Sequence, residues 1–256
     1  MDHSVHALSS KSILRYPGGK SRAVKVIKKY IPKGINELCS PFLGGASLEI
    51  SCAADGIKVY GSDAFVPLVD FWIEVLKNPL LLSLRVRDYY PMSKNDFYSL
   101  QSNFEKLDNS FERAAAFYSL NRCSFSGSTL SGGMSPKHPR FNDNAIVRLK
   151  NFRNPNLFVR KADYRESLTI HKEKFLYLDP PYANGEKLYG DRGNLHDGFN
   201  HVELAELLKK RNGWILSYND CPDIRHLYSK YEILTPEWTY GMSRKKESKE
   251  LLICAY

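Results

Sequence analysis

The sequence predicts an α/β fold with a largely parallel sheet. Short apolar runs alternate with helical segments along the chain, which is typical of strands joined by crossover helices. The composition, with 43% hydrophobic and 25% charged residues, is that of an ordinary globular protein. The 256 residues suffice for one or two domains, each with a core of useful size.

The individual elements follow from hydrophobic periodicity. Four short apolar runs are predicted to be strands: 35–42, 57–63, 174–179 and 214–219. Helical patterns are found over 21–30, 46–54, 93–107, 111–120 and 201–211. At the end of the chain, residues 231–234 and 251–256 are expected to pair as an antiparallel edge.

The middle of the chain interrupts this alternation. Residues 79–153 are mostly helical in period, which predicts an inserted helical subdomain between the two parts of a main domain, residues 1–78 and 154–256. Residues 121–165 carry nine Lys or Arg and two Asp, and residues 124–135 are rich in Ser and Gly. A flexible basic loop of this kind suits contacts with phosphates, although a solvated surface loop is the alternative.

The charge indicates the kind of partner, and the cysteine content indicates the compartment. The formal net charge of +9 favours an anionic partner such as nucleic acid. Five cysteines without a CxxC pair suit the reducing cytoplasm, and no Cys/His spacing predicts a metal site. The first sixteen residues contain no apolar stretch that would predict export or a membrane contact.

The most specific motif is Asp179-Pro180-Pro181-Tyr182, which directly follows the apolar run 174–179. Ligands of open α/β sheets bind beyond the carboxyl ends of the strands. The prolines fix the backbone and remove two N–H donors, so the Asp179 carboxylate and the Pro180 carbonyl remain as acceptors. An exocyclic amino group supplies two N–H donors, and Tyr182 offers a face on which a planar ring can stack. A rigid turn at a strand exit is the alternative reading.

Two further motifs point to a bound small molecule. Phe42 and Gly44-Gly45 lie at the first strand-to-helix junction, where small residues let a ligand approach the backbone. Asp63 ends the next strand, at the position where an acidic residue holds ribose hydroxyls. Asp163 follows a third strand-like run, although a turn aspartate is the commoner explanation. The segment 15–20 combines Tyr16, a Gly-Gly turn and Lys20, with a plain loop as the alternative.

Together these motifs resemble the DNA adenine-N6 methyltransferases of the Dam family, the D12 class, over nearly the whole chain. The matching segments are RYPGGK (motif X), PFLGGASLE (motif I), GSD (cofactor ribose), NRCSFSG (the NRxxFNG element), DPPY (catalytic motif IV), FNHVELAELL, WILSYND and SRKKESKELLICAY (C-terminal hairpin). The motif order is that of the alpha group. The resemblance implies a Rossmann-like class I methyltransferase sheet with an inserted helical target-recognition subdomain.

The resemblance also implies roles for individual residues. The catalytic residues would be Asp179, Pro180, Pro181 and Tyr182. The contacts with the cofactor, S-adenosylmethionine, would be Tyr16, Lys20, Phe42, Gly44, Gly45, Asp63, Asp163 and Asp179, with Asp163 holding the adenine. The DNA contacts would be Arg122, Ser124, Phe125, Ser126, Lys137 and Arg140, joined by Arg148 at the phosphates.

Three departures from the family pattern concern cofactor and target. Ala46 replaces the third glycine of motif I, and Ser126 replaces the asparagine of NRxxFNG. No arginine follows Ser128-Thr129-Leu130, where members that read GATC place one, so GATC is not predicted as the target.

The predicted activity is therefore site-specific methylation of adenine N6 in double-stranded DNA, with the base flipped out of the duplex. The enzyme is expected to be a cytoplasmic monomer, with a restriction endonuclease as a candidate partner. An RNA or protein amide N-methyltransferase is one alternative, since such a site recognises any planar amino group. A non-catalytic DNA-binding module is another. A cytosine-C5 methyltransferase is excluded because the chain has no Pro-Cys pair.

Overall fold

The protein is built on one mixed β-sheet. The computed structural model describes residues 7–135, 140–183, 198–236 and 250–256. The strands in these ranges are β1 (Glu37–Ser40), β2 (Lys58–Asp63), β3 (Leu157–Lys161), β4 (Phe175–Leu178), β5 (Trp214–Asn219), β6 (Glu232–Leu234) and β7 (Glu250–Ala255). They form a sheet in the order β3-β2-β1-β4-β5-β7-β6. Neighbouring strands are parallel except around β7, which confirms the predicted α/β fold with a largely parallel sheet.

The two C-terminal strands pair as the sequence predicts, but they do not both lie at the edge. β7 runs antiparallel to β6 on one side and to β5 on the other. Of these two strands, β6 alone lies at an edge of the sheet. All six residues of β7 are buried, because a strand inside a sheet packs against both layers of helices.

Helices connect the strands. In the described ranges they are α1 (Val24–Ile27), α2 (Ser47–Ala54), α3 (Val66–Lys77), α4 (Pro79–Arg87), α5 (Lys94–Ser102), α6 (Ser110–Cys123), α7 (Asp143–Lys150), α8 (Tyr164–Ile170), α9 (His201–Leu208) and α10 (Pro222–Leu227). Three predicted helices were too long, one of them the helix over 201–211, which ends at Leu208. The helix predicted over 93–107 ends at Ser102, because Asn103 leaves helical geometry and its side chain donates to the Ser99 carbonyl. Only Val24–Ile27 is α-helical within 21–30.

The sheet separates two hydrophobic layers. Successive side chains of a strand point to opposite faces, so Leu252 of β7 packs in one layer and Leu251 in the other. The first layer includes α2, α3 and α6, and the second includes α8, α9 and α10.

The inserted helical segment shares the first layer. Tyr118 of α6 stacks on Phe71 of α3, with ring centroids 5.5 Å apart and an interplanar angle of 10°. The helices α4 and α7 pack along each other and α4 packs against α6, which extends the same hydrophobic core. The boundaries 79–153 of a separate subdomain stay a prediction.

The parallel strands bring the predicted motifs to one edge of the sheet. β1 lies between β2 and β4, and all three run in the same direction. Their carboxyl ends therefore meet, and the chain leaves them at residues 41, 64 and 179. The chain crosses to opposite sides of β1 at this point, which is where ligands of open α/β sheets bind.

Candidate active site

The loop after β1 is held by polar contacts from two neighbouring elements. The Gly44 N–H donates to Asp63 Oδ2 at 3.0 Å, and the Gly44 carbonyl accepts from Trp72 Nε1 at 3.0 Å. Gly44 has a φ of +48°, a conformation that favours glycine. Ala46, with φ +52°, adopts the same region at the start of α2.

Tyr16 packs directly on the two glycines of this loop. A Cβ atom at Gly45 would lie 2.8 Å from Tyr16 Cβ, and one at Gly44 would lie 3.2 Å from the Tyr16 ring. The absence of side chains at these positions therefore lets the ring approach the backbone. The structure thus joins the RYPGGK segment to the loop after β1.

Asp63 ends β2 beside this loop. Its Oδ1 accepts from the Phe65 N–H at 3.0 Å, and its Oδ2 accepts from Gly44. Burial raises the pKa of Asp63 above its usual value, and these backbone hydrogen bonds oppose the shift. Since a carboxylate offers about four lone pairs, Asp63 retains capacity to accept from a ligand.

Lys20 and Asp179 form the charged centre of the site. Lys20 Nζ lies 2.8 Å from both Asp179 oxygens and 3.0 Å from the Gly18 carbonyl. Burial raises the pKa of Asp179 to about 6, although Lys20 opposes the shift. Burial also acts to lower the pKa of Lys20, but the carboxylates of Asp179 and Glu250 outweigh it and keep that pKa well above its usual value.

Tyr182 lies against this ion pair. Lys20 Nζ is 5.0 Å from the centroid of the Tyr182 ring, within range of a cation–π interaction. The Tyr182 hydroxyl donates to Glu250 Oε1, and the Asn219 side chain donates to the Ala183 carbonyl at 2.8 Å. The DPPY segment is therefore fixed from β5 and from β7.

Phe42 and Asp163 lie on the β3 side of the site. Phe42 stacks on Tyr164, with ring centroids 5.5 Å apart. The Asp163 carboxylate accepts from the Arg165 N–H at 2.9 Å and pairs with its guanidinium group, so it caps the start of α8. The Ala162 N–H donates to the Asp63 carbonyl, which brings this segment beside β2.

The predicted recognition loop is partly buried and hydrogen-bonded within itself. Ser124 is 1% exposed, accepts from the Thr129 N–H and donates to the Asn121 carbonyl, so its hydroxyl faces the protein. Phe125, by contrast, is 57% exposed, and Ser126 has a φ of +54°. The prediction of a DNA contact therefore suits Phe125 better than Ser124.

The basic residues of this region form a cluster. Arg122 Nε and Nη2 donate to the Arg140 carbonyl at 3.0 and 2.8 Å. Burial lowers the pKa of Arg15, and the guanidinium groups of Arg140 and Arg122 lower it further. Lys137 lies outside the described residues, as do residues 243–249 of the C-terminal motif.

Three residues to which the sequence analysis gave no role connect these parts. Asn121 is fully buried, and its amide group bonds both the N–H and the carbonyl of Arg15 as well as Thr129 Oγ1. Glu250 and Glu49 are buried carboxylates near Lys20 and Asp179, and Glu49 accepts from Ser40 Oγ at 2.7 Å. An acidic residue at the start of a buried apolar strand was the available signal for Glu250.

A separate groove opens at the opposite end of the sheet. It has a volume of about 890 Å³ and is lined by residues before β1, β4 and β5, including Lys172, Lys210 and Arg211. None of the predicted catalytic residues lines this groove.

Within the described parts of the chain, no group of three or more His, Cys, Asp or Glu side chains could hold a metal ion. None of the helices found there has the length and hydropathy that a bilayer-spanning segment needs.

Known proteins are similar in sequence to this chain along most of its length. The chain is 26% identical to Type II methyltransferase M.CviBI of Paramecium bursaria Chlorella virus NC1A, over 86% of this chain and 87% of that protein. It is 25% identical to a DNA adenine methylase of Salmonella typhimurium, over 95% and 94% of the two chains. It is 22% identical to Type II methyltransferase M1.LlaDCHI of Lactococcus lactis subsp. cremoris, over 97% and 96%.

A family model decides the assignment. The model for the D12 class N6 adenine-specific DNA methyltransferases matches residues 16–242, which include the Tyr16, Asp63 and Asp179 segments described above. This match confirms the family, the enzyme class and the DNA substrate predicted from the sequence. The chain belongs to the D12 class of N6 adenine-specific DNA methyltransferases.

Proposed function

We propose that the protein transfers a methyl group from S-adenosylmethionine to adenine N6 in double-stranded DNA, through the residues assembled around Asp179. The observation that carries this proposal is the meeting of the Asp179 carboxylate and the Tyr182 ring with Lys20, next to the Gly44 loop and Asp63. The test is incubation of the purified protein with methyl-labelled S-adenosylmethionine and duplex DNA, followed by detection of N6-methyladenine. Absence of that product would contradict the proposal.

The residues around Asp63 suit the cofactor. Asp63 combines two backbone hydrogen bonds with free lone pairs, so it can accept from ribose hydroxyls. The Gly44-Gly45 backbone and the Tyr16 ring offer a surface without intervening side chains, and Phe42 and Asp163 would hold the adenine side. When bound, S-adenosylmethionine supplies a methyl group on a positively charged sulfur.

Asp179, Pro180 and Tyr182 would hold the target base. The base must leave the duplex to reach this pocket, at a cost of a few kcal/mol. Tyr182 would stack on the base, while the Asp179 carboxylate and the Pro180 carbonyl accept the two N6 hydrogens. Accepting these hydrogens draws the nitrogen lone pair out of conjugation with the ring, and Pro181 keeps the acceptors in place. Positioning and electrostatics then carry the rate.

The arginine cluster supports a DNA-binding face around residues 79–153. Arg15, Arg122, Arg140 and Arg148 lie close enough for their charges to interact, and a phosphate would relieve the repulsion among them. The exposed Phe125 and the half-buried Ser126 lie nearby in sequence and would contact the bases, with Ser124 shaping their loop and Lys137 joining the phosphate contacts.

We also propose that the enzyme acts as a monomer in the cytoplasm. That compartment keeps its five free thiols reduced and contains its DNA substrate. The names of two relatives, both Type II methyltransferases, support a restriction endonuclease as a candidate partner.

Replacing Asp63 with alanine should weaken the affinity for S-adenosylmethionine by roughly 10- to 100-fold. The reason is the loss of a charge-assisted acceptor worth about 1.5–3 kcal/mol. Calorimetric titration of the folded variant measures this affinity. Asp55→Ala, which removes a carboxylate at the far end of α2, is the control and should bind like the wild type. Equal affinities for Asp63→Ala and the wild type would assign Asp63 a purely structural role.

Methyl transfer should fall as the pH drops below about 6, the pKa to which burial raises Asp179. Below that pH the carboxyl group binds a proton, and it can no longer accept both from Lys20 and from the target amino group. Because Lys20 lowers this pKa, Lys20→Met should move the acidic limb of the kcat profile to higher pH.

The control for this pH dependence is Lys28→Met. The ammonium group of Lys28 pairs with Asp55 away from the site, so its removal should not move the acidic limb. Burial also raises the pKa of Glu49 to about 7, so Glu49→Gln is needed as well. A limb that disappears in Glu49→Gln would belong to Glu49 and contradict the assignment to Asp179.

Arg140→Gln should weaken binding to all DNA sequences alike and reduce the salt slope of binding by about one unit. The reason is the loss of one phosphate contact. Affinity is measured at several salt concentrations on matched and mismatched duplexes. Lys58→Gln makes the same charge change at the start of β2, at the opposite end of the sheet, and should leave the slope unchanged. An unchanged slope for Arg140→Gln would place the phosphate contacts elsewhere.

A further inference from the structure

Glu250 connects two residues of the site. It is the first residue of β7 and is 3% exposed. Its Oε1 accepts from the Tyr182 hydroxyl and lies 3.6 Å from Lys20 Nζ. One carboxylate oxygen therefore faces both the ring expected to stack on the target base and the ammonium group that pairs with Asp179.

The hydrogen bonds of Lys20 affect how a target amino group can bond Asp179. An ammonium group has three N–H donors, and those of Lys20 are directed at Asp179 Oδ1, Asp179 Oδ2 and the Gly18 carbonyl. Both Asp179 oxygens are thus engaged by Lys20, while Glu250 attracts the ammonium without a hydrogen bond at 3.6 Å. Each oxygen retains a further lone pair, so a target amino group can bond Asp179, and that new bond strengthens when the ammonium group of Lys20 moves away from the carboxylate.

We propose that Glu250 is a positioning residue: it fixes the Tyr182 ring through its hydroxyl and is the second anionic partner to which Lys20 turns when a target amino group bonds Asp179. The inference rests on the proposed function, since it assigns a substrate amino group to Asp179. A movement of Lys20 Nζ by less than 1 Å toward Glu250 would complete a hydrogen bond of about 2.8 Å.

The charge of Glu250 also bears on the proton equilibrium of Asp179. The groups that face this cluster from the surrounding elements are Lys20, Glu49, Tyr177, Tyr182 and Glu250. Glu250 acts through like-charge repulsion to raise the pKa of Asp179. Removing its charge therefore lowers that pKa in the folded protein, whereas a smaller folded fraction would lower the rate at every pH alike without moving the acidic limb.

The experiment compares Glu250→Gln, Glu250→Asp and Tyr182→Phe with the wild type in methylation of duplex DNA over a range of pH. Gln retains the size of Glu and an acceptor for the Tyr182 hydroxyl but removes the charge. We expect kcat of Glu250→Gln to fall roughly tenfold to a hundredfold, the scale on which displacing a reacting group by about 1 Å costs rate. The acidic limb of its kcat profile should move to lower pH by roughly 0.5–1 pH unit.

The other variants separate the two roles of Glu250. Glu250→Asp retains the charge and should keep the limb of the wild type while losing part of kcat. Tyr182→Phe removes the hydroxyl that bonds Glu250, leaves the charge of Glu250 in place and should not move the limb. Glu232→Gln, the same substitution on the neighbouring strand β6, is the control and should match the wild type. A folded Glu250→Gln with the kcat and pH profile of the wild type would overturn the proposal.

Two further outcomes are distinguishable. If Glu250→Gln does not fold, Glu250→Asp decides, and a shifted acidic limb in that variant overturns the proposal. If the wild type methylates no adenine, the proposed function fails, but the interaction between Lys20 and Glu250 can still be tested. The test is urea unfolding of Lys20→Met, Glu250→Gln and the double variant. A coupling of fivefold or more in the unfolding equilibrium constant supports it, and additive effects overturn it.

Discussion

Replacing Asp179 with alanine should reduce kcat for methyl transfer by roughly 10²- to 10³-fold, the scale on which one preorganised polar contact to a reacting group contributes. The variant loses the carboxylate expected to accept the target amino hydrogens. It also leaves the Lys20 ammonium group, 5% exposed, without its nearest carboxylate, while Glu250, the Gly18 carbonyl and the Tyr182 ring stay nearby. Some loss of stability should accompany the loss of rate, because a buried charge has lost its nearest partner.

Single-turnover kinetics at saturating DNA and methyl donor measures the rate, and circular dichroism measures the folded fraction. Asp179→Asn is the matched variant, since its amide retains one acceptor oxygen and nearly the same shape. It should retain more activity than Asp179→Ala. DNA affinity should change little in either variant, because the arginine cluster is intact. Turnover like that of the wild type in folded Asp179→Ala would remove Asp179 from the catalytic residues.

The second large effect is expected for Gly127→Ala in the recognition loop. Gly127 has a φ of +80°, and a Cβ atom there would lie 2.3 Å from the Arg15 carbonyl oxygen. Backbone atoms cannot move aside as a flexible side chain can. We therefore expect destabilisation by about 2–4 kcal/mol, from the left-handed conformation and from overpacking together.

The effect of Gly127→Ala should also reach the cofactor side. The Asn121 amide bonds the Arg15 backbone and lies 3.4 Å from the Gly127 carbonyl, so a displaced loop pulls on the segment that carries Tyr16 and Lys20. Affinity for S-adenosylmethionine and for DNA should both fall. Urea unfolding and calorimetric titration measure the two effects.

Gly34→Ala is the matched control for this prediction. Gly34 has a φ of +89°, and a Cβ atom there would meet nothing within 4 Å. It therefore isolates the cost of the left-handed conformation, about 1–2 kcal/mol. Equal losses of stability in the two variants, with normal binding of both ligands by Gly127→Ala, would contradict this prediction. The contact between the recognition loop and Arg15 would then not couple the DNA-binding side to the cofactor side.

The strands and their order of appearance could be predicted from the sequence because hydrophobic periodicity is local. β2 and β5 end at Asp63 and Asn219, where the apolar runs end. The helix predicted over 93–107 failed at Asn103, since a side-chain hydrogen bond to the last turn ends a helix without changing the apolar pattern. The burial of Ser124 in the recognition loop could not be predicted either. A run of Ser and Gly has the same sequence pattern whether its hydroxyls face water or the protein.

The sequence by itself determined the chemistry of the site: an acid, two prolines and a tyrosine in succession, with glycines and a second acid on neighbouring strands. Only the tertiary structure decided which groups meet. Lys20 and Asp179 are 159 positions apart, and Tyr182 and Glu250 are 68 apart. Such contacts leave no periodicity in the chain, because they arise where parallel strands β1 and β4 and the antiparallel strand β7 bring distant segments to one edge of the sheet. The acceptors were therefore predictable from local sequence, and the partners that orient them followed from the order of the strands.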